Sequence, residues 1–190
     1  MRIDPLQIDG LCLITPSKHG DDRGFFSEVF RRDLLLKHGI DAVFVQDNHA
    51  SSAERGVIRG LHYQLPPSAQ GKLVRCARGA ILDVAVDIRH GSPTFGRHVA
   101  TELSASNWRQ IWVPPGFAHG YVTLEPDSEV LYKTTSYYHP TAERGIAWND
   151  PALGIDWRLS ASQAVLSAKD QRNPPLAEVE VPFTYAAAPA

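Results

Sequence analysis

The chain has 190 residues, of which 43% are hydrophobic and 21% charged, and its formal net charge is −2. This composition is typical of an ordinary globular protein, and we predict a single domain spanning residues 1–190. The near-neutral charge argues against nucleic acid as a partner, so an anionic ligand would have to be held by a local cluster of cations.

The chain has no stretch approaching about 18 apolar residues, which predicts that it has no membrane partner. Residues 1–16 lack the basic region and the apolar run of a signal peptide. Cys12 and Cys76 are the only cysteines, too few for a disulfide scaffold. Together these features predict a cytoplasmic protein.

Short runs of β-branched and aromatic residues, separated by Gly and Pro, predict about ten strands with helices only at the margins. In chain order, the main predicted strands are residues 11–15, 25–30, 43–48, 59–64, 72–77, 81–89, 111–113, 118–124 and 130–135. Residues 19–24 and 50–56 are predicted loops. Residues 33–38 are a predicted helix, capped by Asp33 and stopped by Gly39.

The strand at residues 81–89 has apolar side chains on one face and Asp83, Asp87 and Arg89 on the other. This alternation predicts a half-buried antiparallel strand. The alternation is lost after residue 151, where we predict loop and short helix to residue 170 and an extended tail from about residue 171. An antiparallel protein of this kind is expected to close as an all-β jelly-roll barrel or sandwich, with a ligand site in its mouth or interior.

The stretch from Arg59 to Gln64 brings a cation, a flexible glycine and an imidazole together. In a regular strand, Arg59 and His62 would point to opposite faces. If both contact one ligand, Gly60 has to mark a β-bulge, or Arg59 has to lie in the loop before the strand. A lone histidine would more often be a core residue, but a second one, His119, follows a Pro-Pro-Gly turn.

Residues 114–119 fit the pattern Pro-x-Gly-x-x-His, which resembles the second metal motif of the cupin superfamily of jelly rolls. The first cupin motif requires His-x-His, whereas this chain has His62-Tyr63-Gln64. Two histidines are too few ligands for a transition metal. We therefore predict a cupin-type fold with a few peripheral helices and no metal, in which His62 is free to act as a base.

An ordered set of motifs resembles the dTDP-4-dehydrorhamnose 3,5-epimerase family. They are DRGFFSE (22–28), QDNH (46–49), GVIRGLHYQ (56–64), KLVR (72–75), DVAVDIR (83–89), PPGFAHG (114–120), YKTT (132–135), WNDP (148–151) and LSAKD (166–170). Each motif alone is weak, but the ordered set from about residue 10 to 170 is specific. The resemblance implies epimerisation of dTDP-4-dehydro-6-deoxy-D-glucose without a cofactor, and a homodimer with exchanged strands.

The resemblance also implies catalytic roles. His62 is the expected base, oriented by Asp170, and Tyr132 is the expected proton donor. Lys72 is the natural cation for an enolate oxygen, with help from His119. The remaining implied ligand contacts are Arg23, Phe26, Glu28, Gln46, Asp47, Asn48, Arg59, Tyr138, Glu143 and Lys169. Arginines suit a diphosphate, and an aromatic ring such as Tyr138 suits stacking on the thymine.

Three alternatives remain open from the sequence. The same residues could serve an epimerase that acts at C3 or C5 alone, in a secondary-metabolite pathway. A metal-dependent cupin is disfavoured by Gln64. A jelly roll that only binds sugar has no reason to combine His62, Tyr132 and Asp170.

Overall fold

The computed structural model describes residues 1–186, which form two large antiparallel sheets and a separate hairpin. One sheet contains, in spatial order, β1 (Arg2–Pro5), β2 (Cys12–Thr15), β10 (Gln110–Val113), β7 (Lys72–Arg78), β12 (Ser128–Thr134) and β5 (Gln46–Ser52). The other contains β13 (Glu143–Gly145), β6 (Ile58–Gln64), β11 (Phe117–Thr123), β8 (Ala80–Asp87) and β9 (His98–Ser104). The hairpin is formed by β3 (His19–Asp21) and β4 (Gly24–Phe26). The predicted all-β fold is confirmed.

The main core lies between the two sheets, because each strand directs alternate side chains toward the other sheet. Val74, Ile111 and Val130 of the six-stranded sheet are buried in the same cluster as Ile81 and Leu103 of the five-stranded sheet. Each fully buried aliphatic side chain of this size contributes about 1.5–3 kcal/mol relative to its exposed state. This core therefore fixes the spacing of the sheets, and with it the width of the interior.

The outer faces of both sheets are also covered. Ile146, Leu153, Trp157 and Val181 of the C-terminal segment pack on the outside of the five-stranded sheet, in a cluster with Val84. On the other side, the helix α1 (Arg32–Lys37) and residues 40–44 pack on the six-stranded sheet. The predicted extended tail contributes Val181 to this cover. The C-terminal segment contains the 3₁₀ helices Ala161–Gln163, Asp170–Arg172 and Leu176–Glu178.

Strand β8 was predicted to be half-buried, and this was wrong, since all eight of its residues are buried. The C-terminal segment covers the apolar face, while Asp83 and Asp87 face the interior with partners. Arg89 donates to Asp87 from Nε and Nη2, both at 2.8 Å, and Ser92 donates from Oγ at 2.6 Å. Burial acts to raise the pKa of Asp87, but these hydrogen bonds lower it to about 2.

Several predicted boundaries were wrong. Residues 19–21 form a strand rather than a loop, and the strand predicted at 25–30 ends at Phe26. The strand predicted at 43–48 lies at Gln46–Ser52 and extends into the loop predicted at 50–56. Strands β1, β9 and β13 were not predicted. The helix is confirmed, but Asp33 is not its cap, because its carboxylate instead accepts hydrogen bonds from Arg31.

Within residues 1–186, no helix has the length and apolar character required to cross a membrane.

A bulge in β6 resolves the orientation of Arg59 and His62. His62 is paired with His119 of β11, and Arg59 with Tyr121, so three steps on β6 match two on β11. The extra residue brings Arg59 and His62 to the same face, as one of the two predicted options required. Gly60 allows the close approach: an added Cβ would lie 2.6 Å from Gly120 Cα and 2.8 Å from the His119 carbonyl oxygen.

We expect Gly60→Ala to lower the free energy of unfolding by roughly 3 kcal/mol or more, measured by urea denaturation. The loss has two sources, because Gly60 has φ +127° and its Cβ would meet two backbone atoms. Gly24→Ala is the matched control, since Gly24 has φ +130° and no heavy atom within 4 Å of the added Cβ. The control should lose only about 1 kcal/mol. Equal losses would contradict a steric role for Gly60.

Candidate active site

A cavity of about 570 Å³ opens between the two sheets and has the size of a small-ligand site. Nine of the predicted site residues line it: Arg59, His62, Lys72, His119, Tyr132, Tyr138, Glu143, Lys169 and Asp170. They come from both sheets and from the C-terminal segment. The fold therefore brings together residues that are up to 111 positions apart in the chain (Arg59 to Asp170, 170 − 59).

His62 and Asp170 are joined by a short hydrogen bond in the wall of the cavity. His62 Nε2 lies 2.6 Å from Asp170 Oδ1, and the Asp170 side chain is 5% exposed. Ser167 Oγ accepts a hydrogen bond from the Asp170 backbone N–H at 3.1 Å. Burial raises the pKa of Asp170, but hydrogen bonding to His62 and Ser167 and the charge of His62 outweigh this and lower it. The carboxylate thus stays ionised and holds Nε2–H, which leaves Nδ1 as the basic nitrogen.

His119, which lines the cavity, forms a second histidine–aspartate pair with Asp83 behind the cavity wall. His119 Nε2 lies 3.0 Å and 2.9 Å from the two oxygens of Asp83, which is completely buried. Buried carboxylates require partners of this kind. Lys72 is close to the pair, and burial lowers its pKa to about 8, although the charges of Asp83 and Glu143 act to raise it.

Tyr132 lies on β12, in the wall opposite His62. Burial raises its pKa, which keeps the phenol protonated at neutral pH. The two side chains therefore approach the cavity from different sheets, one with a basic nitrogen and one with an acidic proton. A ligand ring held between them would face a base on one side and an acid on the other.

At the mouth, Glu143 connects Tyr138 and Lys169. Its carboxylate accepts a hydrogen bond from the Tyr138 hydroxyl at 2.7 Å and forms an ion pair with Lys169. Burial acts to raise the pKa of Glu143, but these two partners lower it. Three side chains that the family resemblance assigns to the ligand thus form one polar network.

Two glutamines hold the loop that carries Tyr138. Gln46 Oε1 accepts a hydrogen bond from the Tyr138 backbone N–H at 2.9 Å, and Gln64 Oε1 accepts one from His139 N–H at 2.7 Å. Gln64 also donates to the Ser68 carbonyl oxygen at 2.6 Å. The side chain that stands in place of the second cupin histidine is therefore engaged with backbone groups rather than with the cavity.

Six predicted ligand contacts lie outside the cavity of this chain: Arg23, Phe26, Glu28, Gln46, Asp47 and Asn48. Arg23 donates to Asp21 from Nη2 at 2.5 Å, and Lys133 donates to Asp47 at 2.6 Å. Phe26 is 67% exposed. The structure does not bring these residues to the cavity, and their role stays a prediction.

The cavity also contains residues that sequence reasoning did not assign to it, notably Tyr121 and Ser167. Asp83, behind His119, was predicted to face solvent on a half-buried strand. One signal was present in the sequence: Asp83 and Asp87 interrupt an otherwise apolar strand. Carboxylates in such a strand are rarely buried unless they are paired with another group. Among residues 1–186 there is no group of three or more His, Cys, Asp or Glu side chains that could hold a metal ion.

Known proteins are similar to this chain in sequence and in architecture. A family model described as dTDP-4-dehydrorhamnose 3,5-epimerase matches residues 5–178. A dTDP-4-dehydrorhamnose 3,5-epimerase of Sinorhizobium fredii (strain NBRC 101917 / NGR234) is 52% identical over 185 residues, which are 97% of this chain and 94% of that protein. The chain belongs to the dTDP-4-dehydrorhamnose 3,5-epimerase family.

Solved structures extend the likeness to the fold. A dTDP-6-deoxy-D-glucose-3,5-epimerase from Legionella pneumophila Philadelphia 1, in complex with dTDP-4-keto-L-rhamnose, matches with a TM-score of 0.93 at 46% identity, covering 98% of this chain and 99% of that one. A 3'-monoepimerase from Streptomyces bikiniensis, in complex with dTDP-quinovose, matches with a TM-score of 0.83 at 37% identity, covering 92% and 87%. The fold is the cupin-like fold of this family.

We expect Asp83→Asn to lower the pKa of Lys72 below its value of about 8, because the Asp83 carboxylate is the larger of two charges that raise it. The titration can be followed by NMR after reductive ¹³C-methylation of the lysines. Asp156→Asn is the control, since that carboxylate is exposed and, among residues 1–186, accepts a hydrogen bond only from the Arg158 backbone N–H. An unchanged Lys72 pKa in Asp83→Asn would contradict this electrostatic account.

Proposed function

We propose that the chain is a dTDP-4-dehydrorhamnose 3,5-epimerase, converting dTDP-4-dehydro-6-deoxy-D-glucose to dTDP-4-dehydro-L-rhamnose. As a member of its family it is an isomerase of dTDP-linked sugars. The observation that supports the reaction is the His62–Asp170 pair at 2.6 Å, which shares one cavity with Tyr132 on the opposite wall. These are the base and the acid that inversion beside a ketone requires.

In the proposed mechanism, the C4 ketone acidifies the hydrogens on C3 and C5. His62 Nδ1 takes one of these protons, the C–H electron pair moves onto the ketone oxygen as an enolate, and Asp170 stabilises the imidazolium. Tyr132 then donates its phenolic proton to the same carbon from the opposite face, and the ketone reforms. Exchange with solvent returns both groups to their starting states before the second carbon reacts.

Negative charge develops on the ketone oxygen, so a cation there lowers the barrier. Lys72 and His119 are the proposed partners of this oxygen. With a pKa of about 8, Lys72 is mostly charged at neutral pH, so it can stabilise the developing enolate. Arg59 is the proposed phosphate ligand, and Tyr138, Glu143 and Lys169 the proposed contacts at the nucleoside end.

We also propose a homodimer in which each β3–β4 hairpin reaches the cavity of the partner. Phe25 and Phe26 of this hairpin are 55% and 67% exposed, an unusual position for two adjacent large apolar side chains. Arg23 is next to them, and Glu28 follows closely in the chain. In addition, β5, with Gln46, Asp47 and Asn48, is an edge strand whose outer side is unpaired in the sheet. Such a dimer would unite the six remaining ligand contacts with the cavity.

The dimer is testable by mixing two inactive variants, Arg23→Ala and His62→Asn, after unfolding and refolding them together. If Arg23 acts in the partner's cavity, each hybrid dimer has one intact site, and mixing should restore about a quarter of the wild-type activity. If Arg23 acts within its own chain, no hybrid has an intact site. Activity that stays at the level of the separate variants would contradict the proposal that the β3–β4 hairpin reaches the partner's cavity.

The proposed unit is one epimerase domain, because both sheets and the C-terminal segment contribute to one cavity. The last part of the predicted 1–190 boundary, residues 187–190, lies outside the described residues. We place the protein in the cytoplasm, since Cys12 and Cys76 are both free thiols. Immunodetection in cell fractions tests this location.

The central test is incubation with dTDP-4-dehydro-6-deoxy-D-glucose in D₂O, followed by NMR. We expect deuterium at both C3 and C5, because the proposed base removes a proton from each. His62→Asn is the control variant: it replaces the imidazole with a smaller amide that has no basic nitrogen. It should lose turnover by about 10²–10⁴-fold while its affinity for dTDP is preserved.

The outcomes separate the candidate reactions. Label at one carbon alone would replace the double epimerase with a single-site epimerase, the activity named for the Streptomyces bikiniensis relative. Retained exchange in His62→Asn would show that the base lies elsewhere.

A further inference from the structure

Tyr121 has a buried hydroxyl without a partner. The residue lies on β11, lines the cavity and is only 5% exposed. Its hydroxyl is one of four buried side-chain polar atoms in residues 1–186 that form no hydrogen bond, the others being on Thr15, Asn48 and Asn173. Of these four residues, Tyr121 is the one that lines the cavity. No role follows for it from the proposed mechanism.

The neighbours of Tyr121 are committed to other contacts. Across the sheet, Tyr121 is paired with Arg59 on β6 and with Asp83 on β8. Both oxygens of Asp83 are held by His119. The Arg59 guanidinium donates to the Ser51 carbonyl oxygen at 3.1 Å and to Ser52 Oγ at 3.4 Å. Ser52 is close to the Tyr121 hydroxyl but does not complete a hydrogen bond with it.

Phenylalanine would fill the same space without an unpaired hydroxyl. Buried tyrosine hydroxyls normally find partners, because leaving one unpaired is unfavourable. The position beside Arg59 indicates what the partner is. An anionic ligand would draw the guanidinium away from its long contacts with Ser52, and a ligand oxygen would then lie next to the phenol. Burial raises the pKa of Tyr121 to about 12, so the phenol is available as a donor.

We propose that Tyr121 is a ligand-binding residue whose hydroxyl donates a hydrogen bond to an oxygen at the phosphate-bearing end of the bound dTDP-linked sugar. The acceptor is a phosphoryl oxygen or the adjacent sugar hydroxyl, since a dTDP-linked sugar carries both groups at this end. The proposal rests on the proposed function, since it requires that a sugar nucleotide occupies the cavity. It adds a contact that the motifs of the sequence do not assign.

The test is Tyr121→Phe, with affinities for dTDP-glucose and for dTDP measured by calorimetry. Loss of one such hydrogen bond should weaken dTDP-glucose binding by about five- to tenfold. The same loss with dTDP identifies a phosphoryl oxygen as the acceptor, and a loss confined to dTDP-glucose identifies a sugar hydroxyl. The thermal midpoint of the free variant should equal or exceed that of the wild type, because an unpaired buried hydroxyl has been removed.

Tyr63→Phe is the matched control. Tyr63 is equally buried on the opposite face of β6, outside the cavity, and its hydroxyl donates to the Glu180 carbonyl oxygen at 2.8 Å. This variant should show the reverse pattern, with a lower thermal midpoint and unchanged affinity. Unchanged affinity of Tyr121→Phe for both ligands would overturn the proposal. If the wild type itself fails to bind dTDP-glucose, the proposed function fails instead.

Discussion

The contact between His62 and Asp170 depends on nearly the whole chain. It joins β6 to a segment 108 residues later, and that segment reaches β6 only by packing across the outer face of the five-stranded sheet. Hydrogen bonds between Ile58 and Val165 and between Val165 and Gly56, both at 2.9 Å, fix it just before Asp170. The outer core is therefore part of the active site, because without it the proposed base loses the carboxylate that orients it.

The strands that sequence patterns identify are those with a strong apolar signal of their own. In β9, only Val99 and Leu103 are buried apolar residues, and the polar Thr101 between them on the same face interrupts the apolar alternation. Strand β13 has three residues, and it exists because Glu143 and Arg144 pair with β6. Edge strands of this kind are defined by their neighbours rather than by local preference. Their positions become visible only when the sheet is assembled.

The site is predictable to a different degree at each residue. His62 and His119 stand out in the sequence, while Asp170 and Tyr132 gain a role only through the family resemblance. The alternation in β8 wrongly predicts an exposed Asp83, because the C-terminal segment covers only the apolar face of that strand and the Asp83 face is buried between the two sheets. Arg23 and Phe26 are the opposite case: the resemblance assigns them to the ligand, but the fold of one chain leaves their side chains exposed.

The charges of the cavity show why its cations remain available. Within residues 1–186 each cavity carboxylate has a partner: Asp170 is paired with His62, and Glu143 with Lys169. Asp83, behind the wall, is paired with His119. Neither Lys72 nor Arg59 forms an ion pair among these residues. A ligand with a diphosphate and a developing enolate would thus meet two cations that need not first be separated from a carboxylate, which avoids an energetic cost at binding and at the transition state.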